Sequence, residues 1–162
     1  MNLRYTARSE DTEQITVVEW AKIRQQRYPE LKLLHHVPNG GSRNKLEAIK
    51  LKQMGVLAGV PDLHLPVPKG IYNGLYIEMK YEGGRLQDSQ KDFLRAAAQY
   101  GNYCVVCYGA TEAIKALDEY VSLQAIDTGK HENQMRVPNM SIMQDGKVKP
   151  IFKKNTYEEN SR

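Results

Sequence analysis

Residues 59–80 read GVPDLHLPVPKGIYNGLYIEMK and contain the clearest structural pattern in the chain. Apolar and polar residues alternate over residues 61–67 and again over residues 74–80, as in strands that bury one face. The connection through residues 68–73 is short and turn-like. The sequence therefore predicts two strands that form an antiparallel hairpin.

Three side chains project from the polar face of this hairpin at one end. Glu78 and Lys80 are two residues apart, so they share a face of the second strand at a spacing of roughly 7 Å. A symmetrical hairpin places Asp62 beside them. Two carboxylates offer the hard oxygen ligands suited to Mg²⁺ or Mn²⁺, and an amine can orient or deprotonate a water or stabilise charge on phosphorus. The alternative is an exposed strand face with an ordinary Glu–Lys ion pair.

Helical and strand patterns surround the hairpin on both sides. Apolar periodicity predicts helices over residues 13–27, 43–54, 88–100 and 111–123, and strands over residues 31–37 and 103–108. The α-β-α-ββ-α-β-α order is typical of an α/β fold in which helices flank a mixed central sheet. In the first helix, Glu13 lies roughly 60° from the centre of the apolar stripe and can face the core, whereas Glu19 lies opposite.

The chain length of 162 residues fits a single domain. We divide it into an N-terminal segment (1–12), one domain (13–123) and a polar, basic tail (124–162) that shows no clear period and could be partly ordered. A net charge of +4 and a pI near 9.0 favour a polyanionic partner without establishing one. Neither a membrane-spanning run nor an apolar leader segment is visible, so we expect a cytosolic protein.

Two cysteines and four histidines are candidate metal ligands by residue type. Cys104 and Cys107 lie three apart in a predicted strand and point to opposite faces, which favours buried free thiols over a redox pair or zinc site. The histidines show no metal-ligand spacing, and His64 is either a structural residue or a phosphate contact. No nucleotide loop or GxSxG motif occurs, so we expect no organic cofactor.

Four motifs together resemble the virus-type replication-repair nucleases (VRR-NUC), a branch of the PD-(D/E)XK superfamily. They are residues 36–43 (HVPNGGSR), 59–63 (GVPDL), 77–80 (IEMK) and 86–90 (LQDSQ), and they come in the order and spacing of that family. The resemblance extends from about Glu13 to Val121. It implies a restriction-endonuclease-like core.

The resemblance also implies roles for individual residues. Asp62 and Glu78 would be metal ligands together with the backbone carbonyl of Met79, and Lys80 would be the catalytic lysine. Gln90 would support the lysine or the attacking water.

Glu13 matches the acidic position of the family's first helix, as a catalytic residue and a further metal ligand. The alternative is a carboxylate placed at a helix start by the helix dipole.

The turn that begins at Pro38 would lie near the site. Its backbone amides at a helix N-terminus could hold a phosphate, although a plain connecting turn is the alternative. The candidate DNA contacts are Asn39, Gly40, Gly41, Arg43 and Lys52. Gln87 replaces the family's frequent capping serine, which leaves the start of that helix less defined.

The resemblance implies a Mg²⁺-dependent DNA endonuclease, with Mn²⁺ as a substitute, that acts on branched DNA such as flaps and junctions in replication, repair or recombination. It also implies a homodimer, and a host-cell cytoplasm if the protein is viral or prophage-encoded. The alternative function is a non-catalytic DNA-binding accessory module on the same fold. The sequence leaves endo versus exo action open.

Overall fold

The computed structural model describes residues 8–39 and 44–124 with their side chains, and the backbone of residues 140–142 and 148–150. Its helices and strands, in chain order, are α1 (Glu10–Arg24), a 3₁₀ helix (Pro29–Leu33), β1 (His35–His36), α2 (Lys45–Gln53), β2 (Leu63–Leu65), β3 (Leu75–Lys80), α3 (Asp88–Gln99), β4 (Tyr103–Tyr108), α4 (Ala110–Ser122), β5 (Met140–Ile142) and β6 (Val148–Pro150).

The first four strands form a mixed sheet in the order β1-β2-β3-β4. β2 and β3 pair antiparallel, with Leu63 opposite Ile77 and Leu65 opposite Leu75, so the predicted hairpin is confirmed. β4 runs parallel to β3, and β1 runs antiparallel to β2. The mixed α/β fold expected from the sequence is therefore confirmed. In the tail, β5 and β6 form a two-stranded antiparallel sheet, and most of residues 125–162 lie outside the described part of the chain.

The two faces of the central sheet bury different sets of apolar side chains. One face packs against α1 and α4 through the main core, which includes Val17, Leu63, Leu65, Leu75, Ile77, Met79, Tyr103, Val105, Cys107, Ala113, Leu117 and Tyr120. The opposite face packs against α3 through Leu86, Leu94, Cys104 and Val106. Both cysteines are buried and free, as predicted. Leu75, Ile77 and Met79 of β3 thus pack in the main core, and the residues between them face α3.

α1 begins three residues before the predicted start. The Ser9 side chain accepts a hydrogen bond from the Thr12 amide, and the Thr12 hydroxyl accepts one from the Ser9 amide. This reciprocal pair caps the first turn, which contains Glu10, Asp11 and Glu13. Glu13 is buried and Glu19 is exposed, as their angular positions predicted.

The predicted strand over residues 31–37 is largely wrong. Pro29 starts a 3₁₀ helix that contains Leu31 and Leu33, and only His35 and His36 form a strand. In a 3₁₀ helix, side chains three apart share a face. Leu31 and Leu34 therefore both pack against the core, whereas Leu33 stays exposed.

α2 contains no buried residue, although its sequence has an apolar side. Leu46 is 81% exposed and Ile49 is 55% exposed, and Leu51 on the other side is half-buried. The apolar side of α2 therefore points away from the domain. In the described part of the chain, no helix combines the length and the apolarity needed to cross a membrane.

Gly59 fixes the segment that leads into β2 against the start of α3. Its φ of +84° lies in the left-handed region, and a Cβ atom there would lie 2.2 Å from the carbonyl oxygen of Ser89. We predict that Gly59→Ala lowers the free energy of unfolding by about 3 kcal/mol or more, because backbone strain adds to a clash with main chain.

Urea denaturation measures this loss, with Gly55→Ala as the matched control. Gly55 has a φ of +93° but open space around its Cβ position, so alanine there costs only the strain of about 1–2 kcal/mol. Equal losses in the two variants would contradict the close approach of Gly59 to α3.

Candidate active site

The carboxyl end of β3 is where the hairpin collects its polar side chains. Asp62 immediately precedes β2, and the register of the β2–β3 pair places it opposite Glu78. The Oδ2 atom of Asp62 accepts a hydrogen bond of 2.8 Å from the backbone amide of Met79. The structure therefore brings Asp62 to the segment that carries Glu78 and Lys80.

Lys80 bonds to two oxygen atoms at this end of β3. Its Nζ atom donates to Glu78 Oε1 at 2.5 Å and to the Met79 carbonyl oxygen at 2.9 Å. The side chain of Glu78 is only 1% exposed and that of Lys80 only 7%. An ammonium group and a carboxylate are thus held together in the interior, which distinguishes them from a surface ion pair.

Gln90 connects the start of α3 to the same carboxylate. Its Nε2 atom donates to Glu78 Oε1 at 2.5 Å, and its Oε1 atom accepts from the Gln87 backbone amide at 2.9 Å. The Gln90 side chain therefore accepts a backbone hydrogen bond at the start of α3 and also orients Glu78. α3 begins at Asp88 as predicted, although no serine stands at position 87.

Burial controls the protonation of Glu78. Desolvation, with the nearby charge of Asp62, raises the pKa of Glu78 to about 7, against the opposing influence of Lys80. Burial lowers the pKa of Lys80, but the hydrogen bond and charge of Glu78 outweigh it and the net direction is upward. Among the described residues, Glu78 Oε2 is a buried oxygen with no hydrogen-bond partner. The site thus contains a strongly held ammonium group and a carboxylate oxygen that lacks a donor.

A third acidic residue, Glu10, approaches the cluster from α1. Its Oε2 atom lies 3.7 Å from Lys80 Nζ, and its side chain is 44% exposed. Desolvation raises the pKa of Glu10, and the charge of Asp62 acts in the same direction. Glu10 was not predicted as a site residue, because the first helix was expected to begin at Glu13. The reciprocal Ser9–Thr12 cap was the signal that would have moved this start.

The two carboxylate oxygens of Glu13 contact Arg8 and the start of α4. Its Oε1 atom accepts from Arg8 Nε, and its Oε2 atom accepts from the Ala110 backbone amide, both at 2.8 Å. The Arg8 hydrogen bond and the Ala110 amide lower the pKa of Glu13. Of the acids in the first turns of α1, it is therefore Glu10 that contacts Lys80, and Glu13 contacts the start of α4.

The candidate DNA contacts are only partly described. Asn39 Nδ2 donates to the Val60 carbonyl oxygen at 2.7 Å and so holds the segment that leads to Asp62. Lys52 is exposed on α2. Gly40, Gly41 and Arg43 lie outside the described residues.

His64 is packed among other rings on the active-site side of the sheet. It stacks on Tyr76 at a centroid distance of 4.1 Å, and the His35 ring meets it edge-on at 5.2 Å. Burial, followed by the charge of His35, lowers the pKa of His64. These contacts fit the structural interpretation of this histidine.

The chemistry of the site suits a hard cation. Asp62, Glu78 and Glu10 supply carboxylate oxygens, and the Met79 carbonyl adds a neutral one, which are ligands that Mg²⁺ prefers. A cationic group already bonds to two of these oxygens, since the Lys80 ammonium contacts Glu78 and Met79. Within the described ranges, no three Asp, Glu, His or Cys side chains are grouped as a ready-made metal cage. The fit of the site to Mg²⁺ therefore depends on the acids around Lys80 and on the Glu78 oxygen that has no hydrogen-bond partner among the described residues.

Comparison with known proteins identifies the class. The model of the VRR-NUC domain family matches residues 2–111. A solved structure described as a VRR_NUC domain protein is 32% identical, with a TM-score of 0.67, over 80% of this chain and 99% of the other. No curated protein sequence matches this chain. The chain belongs to the VRR-NUC family, and the family is one of DNA-processing nucleases, as the sequence motifs predicted.

Proposed function

We propose that this chain is a divalent-metal-dependent DNA endonuclease that hydrolyses phosphodiester bonds. We further propose a preference for branched DNA, such as flaps or junctions, in replication, repair or recombination. Family membership supports the nuclease class, and the sequence resemblance supports the branched substrate. The observation that carries the proposal is the convergence of Asp62, Glu78 and Lys80, since Asp62 bonds to the Met79 amide while Lys80 bonds to the Met79 carbonyl and to Glu78.

Asp62, Glu78 and the Met79 carbonyl are the groups that would hold Mg²⁺, and Mn²⁺ would substitute for it. Glu10 replaces Glu13 as the α1 acid in this proposal, because Glu10 is the one that reaches Lys80. When bound, Mg²⁺ would offset the charge of the scissile phosphate and acidify a water molecule. Gln90 would hold Glu78 in the orientation that this ligand set requires.

Lys80 acts as a cation in this proposal. Burial lowers the pKa of Lys80, but the hydrogen bond and charge of Glu78 raise it further, so the amine carries a proton while it bonds to Glu78. An ammonium group at this position stabilises the negative charge that develops on the phosphate oxygens and orients the attacking water through its N–H bonds. The oxygen of the water then attacks phosphorus in line with the leaving oxygen, so a new P–O bond forms as the old one breaks. The proton of the water passes to solvent, and the leaving oxygen takes a proton from solvent.

The proposal includes the binding of DNA phosphates and of a second copy of the chain. The residue types and their positions in the sequence suggest a set of phosphate contacts. The proposed contacts are Asn39, Gly40, Gly41, Arg43 and Lys52. A homodimer, implied by the resemblance, would place two sites across a two-fold axis. The exposed Leu46 and Ile49 of α2 are the kind of apolar surface that subunits cover on association.

We predict that Lys80→Met and Asp62→Asn each lower the single-turnover cleavage rate by about 100-fold or more, because each removes a charge from the reacting centre. The measurement uses end-labelled flaps, four-way junctions and linear duplexes with Mg²⁺. Lys115→Met, an exposed lysine of α4, is the matched control and should cleave at the normal rate. Unchanged cleavage in both site variants would remove the proposed site, and metal-independent DNA binding without any cleavage would favour the accessory-module alternative.

Metal affinity should depend on pH through Glu78. The pKa of Glu78 is raised to about 7, so below that value a proton occupies the carboxylate and must leave when a metal binds. We predict that Mn²⁺ affinity rises by up to roughly tenfold per pH unit below pH 7 and levels off above it.

Calorimetry with Mn²⁺ alone, in buffers of different ionisation enthalpy, measures both the affinity and the number of released protons. Glu78→Gln is the control, in which affinity is weak and the dependence near pH 7 disappears. An affinity that stays constant across this range in the unaltered protein would contradict the role of Glu78.

A further inference from the structure

Glu13 joins two elements that the sequence separates widely. α4 starts at Ala110 after Gly109, which has no side chain to cap the helix. The first amides of a helix lack intrahelical partners, and a negative charge there is favoured by the helix dipole. Glu13 of α1 accepts the hydrogen bond from the Ala110 amide and therefore caps α4 from another helix.

The fit between Glu13 and α4 is close. Gly109 has a φ of +89°, and a Cβ atom on it would lie 3.2 Å from Glu13 Oε2. Glycine at this position thus permits both the backbone conformation and the approach of the carboxylate. Arg8 holds the second oxygen of Glu13, and its guanidinium group also lies 5.6 Å from the centroid of the Tyr81 ring.

The start of α4 also forms a hydrogen bond with the backbone of Lys80, the candidate catalytic lysine. The Gly109 amide donates to the Lys80 carbonyl oxygen at 2.9 Å, and the next amide, that of Ala110, donates to Glu13. Glu13 is thereby linked through two consecutive amides to the end of β3. One helical turn before Glu13, Glu10 reaches the side chain of Lys80.

From these contacts we infer that Glu13 is a positioning residue, which fixes the depth and rotation of α1 so that Glu10 reaches the metal-binding acids. Residues three apart on a helix lie on the same side, so anchoring Glu13 at α4 directs Glu10 toward Lys80. This inference rests on the proposed function, because it treats Glu10 as part of the metal-binding set. It assigns to Glu13 an effect that passes through Glu10 and requires no contact with metal or DNA.

A double-mutant cycle separates positioning from a general structural role. The variants are Glu13→Ala, Glu10→Ala and the combination of both, and the readouts are the dissociation constant for Mn²⁺ alone and the thermal midpoint of unfolding. We expect Glu13→Ala to weaken Mn²⁺ binding by about tenfold, in the range found for residues that orient ligands. In the Glu10→Ala background the same change should leave Mn²⁺ affinity unaltered while still lowering the thermal midpoint.

Two further variants keep the test decisive if Glu13→Ala folds poorly. Glu13→Gln retains an oxygen that accepts from the Ala110 amide, so we expect Mn²⁺ affinity within about threefold of normal, since the bond rather than the charge sets the position. Ala110→Pro removes the donor, and its ring carbon displaces the Glu13 oxygen that lies 2.8 Å from the nitrogen, so we expect it to weaken Mn²⁺ binding as Glu13→Ala does. Glu19→Ala, an exposed position of α1, is the control and should change neither readout.

Normal Mn²⁺ affinity in Glu13→Ala or Ala110→Pro, or an equal loss in the presence and absence of Glu10, would overturn the positioning role. Failure of the proposed function looks different, because the unaltered protein would then bind no Mn²⁺ and cleave no DNA.

Discussion

The buried contact between Glu78 and Lys80 is the interaction on which the other features of the site depend. Removing a carboxylate and an ammonium group from water costs several kcal/mol for each ion, and only close pairing and further hydrogen bonds offset that cost. Glu78 obtains one hydrogen bond from Lys80 and another from Gln90, and one of its oxygens still has no partner among the described residues. The fold thus keeps a carboxylate in a position that hydrophobic residues would fill at lower cost, which is understandable if the carboxylate serves a reaction.

The groups around this pair come from different parts of the fold. The hairpin contributes Asp62, α3 contributes Gln90, and α1 contributes Glu10. β3 lies between β2 and β4 in the sheet, so its backbone is held on both sides while its alternate side chains serve the main core. A central strand of this kind positions Glu78 and Lys80 with little freedom, which is what a reacting centre requires.

The local alternation of apolar and polar residues accounts for the parts of the fold and site that could be predicted from the sequence. The hairpin was predictable because strict alternation over residues 61–67 and 74–80 fixes which side chains share a face, and β4 has the predicted limits. Glu10 and the 3₁₀ helix were missed for a common reason, since both depend on capping and packing at the ends of elements. The contact of Glu13 with Ala110 joins residues far apart in the chain, and no local period carries that information. The apolar side of α2 is exposed, although its pattern predicted an amphipathic helix. Such a pattern predicts the helix but not the surface against which its apolar side packs.

The proposed reaction requires that the acids around Lys80 bind a divalent cation. A crystal structure of the protein soaked with Mn²⁺, with anomalous scattering recorded for the metal, tests it most directly. We expect a Mn²⁺ peak bonded to Asp62, Glu78 and the Met79 carbonyl oxygen at about 2.0–2.3 Å, with the Lys80 ammonium displaced from Glu78 Oε1. A peak at another position, or no peak while Lys80 keeps its bonds to Glu78 and Met79, would contradict it.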